Sequence, residues 1–387
     1  MDVLASISGA TGSLLFTLLS FLVVLTVVVF VHEFGHFWVG RRCGVGVKAF
    51  SVGFGPELLG WNDRHGTRWK ISAIPLGGYV KFVGDLNAAS VPDQGSIGQM
   101  SSSERDISFP FQSVGKRAAI VAAGPVANFL LAIAIFSGLA YVNGRQVLEP
   151  RVEVVQPGSA AERAGLKAHD LILSINGRRV DSFADLQRLV SVSAGETLTL
   201  VVDRSGTTET IQAVPDLKEQ ATPFGKQRIG LLGLQASRNP DDVKRVTYSP
   251  WGALNAGTLE TWYVVERTID YVGKLVTGRE SADQLSGPIR IAQVSGQVAS
   301  LGGIGGLVTL VAVLSVSIGL INLFPVPLLD GGHLLFYAVE AVRGRPLSDR
   351  AQEIGFRIGL AVVVMLMLFS TWNDIFHILE PFLGGGT

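Results

Sequence analysis

The sequence predicts a polytopic α-helical membrane protein with four transmembrane helices, a β-hairpin region after the first and one small α+β domain inserted after the second. Three observations carry this. Of the 387 residues, 48% are hydrophobic and only 17% charged, against about 25% charged in an ordinary soluble domain. Uncharged stretches cover 3–31, 118–142, 301–329 and 358–373. The first three are long enough to cross a bilayer, and the last becomes so by extending to about residue 379. Between the second and third, over 145–235, charge rises and the long apolar runs stop. The formal net charge is zero, which gives no support to a nucleic-acid partner. The single cysteine, Cys43, excludes an internal disulfide and a cysteine-built metal site.

The first helix covers 1–41. Its dense apolar part, Ser13 to Val31, carries no Lys or Arg before it, so it lacks the charged n-region of a cleaved signal peptide. It runs directly into Val31-His32-Glu33-Phe34-Gly35-His36-Phe37. This is an H-E-x-x-H pattern. Residues four apart share a helix face, so His32 and His36 can reach one metal ion. Glu33 is then placed to take a proton from an attacking water. The flanks Phe30, Val31, Phe37, Trp38 and Val39 make a solvated face a poor explanation. Ionisable groups in lipid-like surroundings are costly unless they act.

Residues 42–115 form the β region and a loop. Lys70–Ile74 and Gly78–Phe82 are its strand candidates, punctuated by Gly53, Gly55, Pro56, Pro75, Gly77 and Gly78. An exposed strand edge there could pair with an extended substrate. The polar, Ser- and Gly-rich 86–113 reads as a loop, and His65 as an ordinary loop histidine. The second helix, 116–143, contains Ala123-Gly124-Pro125 and Asn128. Small residues there allow close helix approach, and Asn128 is read as a packing residue bonding across helices.

Residues 144–236 carry Pro157-Gly158-Ser159-Ala160-Ala161, Ala164-Gly165-Leu166, Asp170-Leu171-Ile172 and Ile175-Asn176-Gly177 in order. A turn, a short helix, a strand ending in Asn-Gly and a further strand make a small α+β domain. The set resembles a PDZ domain, a fold that binds extended peptides by strand addition. Over 237–300, Trp262, Val265, Ile269, Val272 and Val276 recur at helical spacing, and Trp251, Trp262 and Tyr263 suit a membrane interface. That predicts a helix lying on the bilayer. The third helix, 301–336, contains Asn322-Leu323-Phe324-Pro325-Val326-Pro327-Leu328-Leu329-Asp330-Gly331-Gly332-His333. Two prolines break it just before a carboxylate. A loop at 337–353 leads to the fourth helix, 354–380, with Asp374 near its outer end.

This span count puts the two polar clusters together. His32 lies about 28 Å along a helix from Ser13, near the exit face of its span. Asp330 is likewise at the exit of the third span. One span intervenes, so helices one and three run parallel and both clusters reach the same side. Ten Lys or Arg in 40–117, with Arg343, Arg345 and Arg350 after helix three, make that side cytoplasmic by the positive-inside rule. Both termini and the inserted domain are then outside. His32, His36 and either Asp330 or His333 supply three ligands, leaving a fourth position for water, as in catalytic zinc sites. Asn322 could hydrogen-bond a substrate backbone or a developing oxyanion. A transporter would be expected to show an internal repeat with paired broken helices; only one broken span is present.

H-E-F-G-H in the first span and N-L-F-P-V-P-L-L-D-G-G in the third, with A-G-P-V-A-N-F at 123–129, the PDZ-like insert and S-G-P-I-R-I-A at 286–292, resemble the site-2 protease family of intramembrane metalloproteases over essentially the whole chain. The resemblance implies His32, His36 and Asp330 as zinc ligands, Glu33 as the catalytic base and Asn322 as a substrate-positioning residue. It also implies regulated cleavage of single-span membrane proteins such as anti-sigma factors in the inner membrane of a bacterium. It makes the β region membrane-reentrant and a periplasmic peptide or protein the partner of the PDZ-like insert. The best-known members carry two tandem PDZ domains; one is found here.

Overall fold

The computed structural model describes residues 2–85, 100–222, 225–236, 243–277 and 287–383. Ser13–Arg42, Val114–Asn143, Pro288–Asn322 and Arg350–Phe376 are helices long and apolar enough to cross a membrane, as a polytopic membrane protein requires. The chain divides into two compact units. The first is Met1–Phe136, Gly257–Thr268 and Ser286–Thr387; the second is Ser137–Ala256 with Ile269–Leu285.

In the first unit, α1 (Asp2–Arg42) packs Val24 and Val28 against Val294, Leu310 and Val311 of the long helix Pro288–Asn322. The helix Val114–Asn143 sets Ala132 and Phe136 against Ala312, Val316 and Leu320 of the same partner. The last helix, Asp349–Leu383, buries little of its span. Met365, Leu368 and Trp372 stay well exposed, as suits a lipid-facing surface. Asp374 is the exception. It is buried and accepts the backbone N–H groups of Gly287 (2.9 Å) and Arg290 (3.0 Å). The long helix starts at Gly287-Pro288 with no side-chain cap of its own, so a carboxylate from another helix satisfies its orphan donors.

The segment expected as one interfacial stretch over 237–300 divides differently. One helix covers Pro250–Val276, residues 278–286 lie outside the described residues, and the next helix starts at Pro288. That helix turns sharply at Gly303 (φ 56°, ψ −145°), and Val294, Ser295 and Ala299 before the turn are buried.

The β region is more folded than two separate strands. β1 (Val47–Asn62) and β2 (Arg68–Phe82) are both continuous and curl back on themselves. Residues 49–52 of β1 pair on one side with 78–81 and on the other with 68–71, while 57–62 pair with 68–72. Two strands thus make a four-segment sheet. Of the two strand candidates, Lys70–Ile74 is therefore largely internal, and Gly78–Phe82 keeps an outer edge. Phe50, fully buried, fixes the sheet to α1: its ring lies 5.6 Å from Phe30, 5.5 Å from Phe37 and 4.5 Å from Trp69. At the far end Phe54, Leu58, Leu59, Trp61, Ile71 and Ile74 are exposed. Of the loop predicted at 86–113, residues 86–99 lie outside the described residues. The rest carries the capped helix α2 (Ser102–Asp106) and the buried Phe109.

The second unit holds a four-stranded sheet in the order β4-β3-β5-β6 (Arg178–Arg179, Leu171–Ile175, Leu198–Arg204, Thr207–Ala213). Helices Ala160–Arg163 and Phe183–Ser191 accompany it. Val152, Ile172, Leu186, Leu200 and Val202 form its core. Asn176 and Gly177 both take positive φ (49° and 77°), the conformation a two-residue Asn-Gly hairpin needs. Asp170 is 1% exposed and takes Arg204 through both carboxylate oxygens, at 2.8 and 2.7 Å, and the Lys167 N–H at 2.8 Å. Burial by itself would raise this carboxyl. The Arg204 pair and the backbone bond outweigh it and hold the group below the usual carboxylate range. A lowered folded-state value means the stabilisation is present above the ordinary Asp range and is lost as pH falls through the lowered value. Hydrogen-exchange protection at β3 and β5, taken relative to the intrinsic exchange rate, is therefore expected to fall on acidification below about pH 4, and Asp170→Asn to remove that part of the pH dependence.

Candidate metal centre

His32 and His36 lie one turn apart on α1, and both are buried. Their Nε2 atoms are 3.2 Å from each other. Asp330 arrives from the other end of the sequence. The long helix stops at Asn322 because Pro325 and Pro327 can supply no N–H and restrict the residue before each. The chain then crosses Leu328 at φ 101°, a strained conformation for a residue with a side chain. It re-enters a helix, Asp330–Arg343, with Asp330 in the first turn, where the exposed N–H groups favour a carboxylate. Gly331 is pressed so closely on the carbonyls of Leu323 and Phe324 that a Cβ would collide with them.

Asp330 Oδ2 lies 3.2 Å from His32 Nε2 and 3.5 Å from His36 Nε2. The three donor atoms form a nearly equilateral triangle. The edge of a tetrahedron with metal–ligand bonds of 2.0–2.1 Å is about 3.3 Å, so the triangle has the size of one face of a tetrahedral zinc site. Asp330 Oδ2 is also buried with no hydrogen-bond donor in acceptable geometry. A buried carboxylate oxygen aimed at two imidazole nitrogens, and at no proton, fits a shared cation. These residues form the one His/Cys/Asp/Glu cluster of metal-binding geometry among the described residues.

The remaining residues singled out by sequence surround this triangle. Glu33, His32, His36, Asn322, Asp330 and His333 line one cleft, walled by Val80, Phe82, Phe109, Ile120 and Leu328. Glu33 accepts the backbone N–H of Val80 in β2. Asn322 donates to the Ile318 carbonyl at 3.0 Å. His333 reaches the cleft but not the triangle; its ring packs 5.4 Å from Phe356. Between the two candidates for a third donor, the fold brings Asp330 to the histidine pair.

Sequence reading understated α3 (Val114–Asn143). Ile120, Gly124 and Asn128 share one face of it and meet the back of the histidines. His36 Nδ1 is 2.9 Å from the Ile120 carbonyl. Asn128, read as a packing residue, is fully buried with its amide 3.3 Å from His32 Nδ1. Gly124 faces both rings, and a Cβ there would strike His36 Nε2 and His32 Cε1. The four-residue spacing of Gly124 and Asn128, matching that of His32 and His36, was the available signal.

Comparison with known proteins agrees with this geometry. The family model described as peptidase family M50 matches residues 20–366. A protein of Agrobacterium fabrum provisionally named a zinc metalloprotease is 50% identical over 371 residues, covering 96% of this chain and 98% of its own length. The metalloprotease MmpA of Caulobacter vibrioides is 41% identical, with 93% and 96% covered. The regulator of sigma-E protease RseP of Escherichia coli is 34% identical, with 94% and 99% covered. With the histidine pair and the distant carboxylate on one face of a cleft, and a family match over most of its length, the chain belongs to peptidase family M50, the site-2 proteases, and is a zinc metalloprotease.

Proposed function

We propose that His32, His36 and Asp330 hold the zinc, that Glu33 is the general base, and that the enzyme cuts single-span membrane proteins within the bilayer. The donor triangle with Glu33 in the same cleft carries this reading. Zinc, when bound, lowers the pKa of water and polarises a carbonyl. Glu33 takes the proton from the attacking water and can return it to the leaving amine. Asn322, at the cleft wall, orients the substrate backbone or the developing oxyanion. Leu328, Val80 and Phe109 keep bulk water from the cleft.

A helical substrate must unwind first, because its carbonyls are held in intrahelical bonds. The outer edge of Gly78–Phe82 is the surface to receive the unwound segment as an added strand. The Val80 N–H on that edge is the donor that Glu33 now occupies, so strand addition and the base share one contact. Anti-sigma-factor-like proteins are the substrate class assigned here, a reading in keeping with a relative named a regulator of sigma-E protease. The Lys and Arg distribution supports a cleft near the cytoplasmic face, with both termini and the second unit on the opposite side; a bacterial inner membrane, with that side periplasmic, is the location assigned here. The second unit, PDZ-like in its order of turn, helix and hairpin, is assigned a peptide or protein ligand.

Glu33→Gln is expected to retain zinc while cleavage of a single-span substrate falls by about 10²–10⁴-fold; comparable turnover with metal bound removes Glu33 from its role. In elemental analysis of detergent-purified protein, His36→Ala is expected to carry no zinc, and unchanged zinc content rejects it as a ligand. Gly124→Ala is expected to displace both imidazoles and weaken zinc about tenfold or more, the scale of a disturbed ligand environment, in a chelator-competition titration.

A further inference from the structure

We propose that Asn128 is a positioning residue for His32: its side-chain oxygen accepts the His32 Nδ1 proton and so fixes the tautomer whose Nε2 lone pair faces the metal. The inference rests on the ligand set proposed above.

Both histidines turn Nε2 toward Asp330 and Nδ1 toward the same helix. At His36 the Nδ1 partner is a main-chain carbonyl, Ile120 O at 2.9 Å. A carbonyl only accepts, so that nitrogen carries the proton and Nε2 keeps its lone pair. At His32 the partner is an amide, whose two ends have nearly the same shape and opposite chemistry. With Nδ2 against His32 Nδ1, the amide donates, the ring proton moves to Nε2, and the lone pair is lost from the metal side. The same orientation leaves Asn128 Oδ1 buried without a partner, at a cost of about 1–3 kcal/mol. A half-turn of the amide brings Oδ1 to His32 Nδ1. The orphaned oxygen gains its donor and both imidazoles then hold the same tautomer.

The body of Asn128 is fixed independently of its amide. Ser315 Oγ donates to the Asn128 main-chain carbonyl at 3.0 Å, and Gly319 lies against its Cβ. Packing between the helices therefore holds the backbone and Cβ, and the amide is left to meet His32. A side chain serving only as helix glue has no reason to set its amide against the second nitrogen of a histidine whose first faces the triangle.

The test is zinc affinity of the full chain in detergent, by competition with a chelator, with thermal unfolding of the zinc-free protein as the folding control. Asn128→Leu, similar in size and without an acceptor, is expected to bind zinc about 10–100-fold more weakly. Asn128→Asp, which restores an acceptor in the same place, is expected to bind within a few-fold of the parent. Should the leucine variant fail to fold, Asn128→Ala carries the same expectation. Parental affinity in a folded variant without the acceptor overturns the proposal, as does an equal loss in the aspartate variant. His36→Ala is run beside them: if it binds zinc like the parent, the ligand set itself fails, and the result is not charged to Asn128.

Discussion

The first unit is organised around four ionisable side chains brought together, the two histidines buried and the two carboxylates half-buried. His32, His36, Glu33 and Asp330 meet in a cleft between apolar helices, where an uncompensated charge is expensive. Two carboxylates so near one another repel. In the proposed reading a divalent cation shared by His32, His36 and Asp330 would offset that repulsion. The zinc chemistry of the family and the stability of the site are the same electrostatic requirement seen from two sides.

Meeting that requirement takes backbone that a regular helix cannot give. The first helix delivers its histidines by simple periodicity. The carboxylate needs a helix stopped by Pro325 and Pro327, a strained Leu328 and a new helix whose first turn presents Asp330. Such irregular backbone survives at membrane depth only where protein or water covers it, and here the cleft and the close packing of Gly331 provide the cover. The second spanning helix closes the back of the site, with the Ile120 carbonyl, a Gly124 that leaves room for two rings and the Asn128 amide. Contacts of this kind behind the proposed ligands fix ring orientation, and outer partners of metal-bound histidines weigh on affinity by about 10–100-fold.

The sheet beside the site extends the argument to substrate. Its four segments come from only two strands, each pairing along much of its length with more than one stretch of the other. The segment with an outer edge, Gly78–Phe82, touches the catalytic cleft through Val80 and Phe82, while the aromatic anchor at Phe50 ties the sheet to the helix that carries the histidines. A protease acting on a helix must handle an unwound backbone, and an edge that lines the same cleft as the proposed metal ligands is suited to that task.

The sequence by itself determined the spans, the histidine pair and the broken third helix. Each is a local property: hydropathy over one bilayer thickness, a four-residue spacing on one helix face, and prolines that forbid continuation. Parity of the spans was enough to bring both polar clusters to one side of the membrane. It left Asp330 and His333 as rival donors, because three residues in a first helical turn point in directions that only packing selects. It gave Asn128 a packing role, because the contact with His32 spans 96 residues, and the Gly124–Asn128 spacing marks a helix face without naming what meets it. It read separate strands where one curled pair doubles into a sheet, since pairing register is decided by contacts across space. Only the tertiary structure decides which of these groups meet, for one physical reason: the partners of a buried polar atom come from elsewhere in the chain.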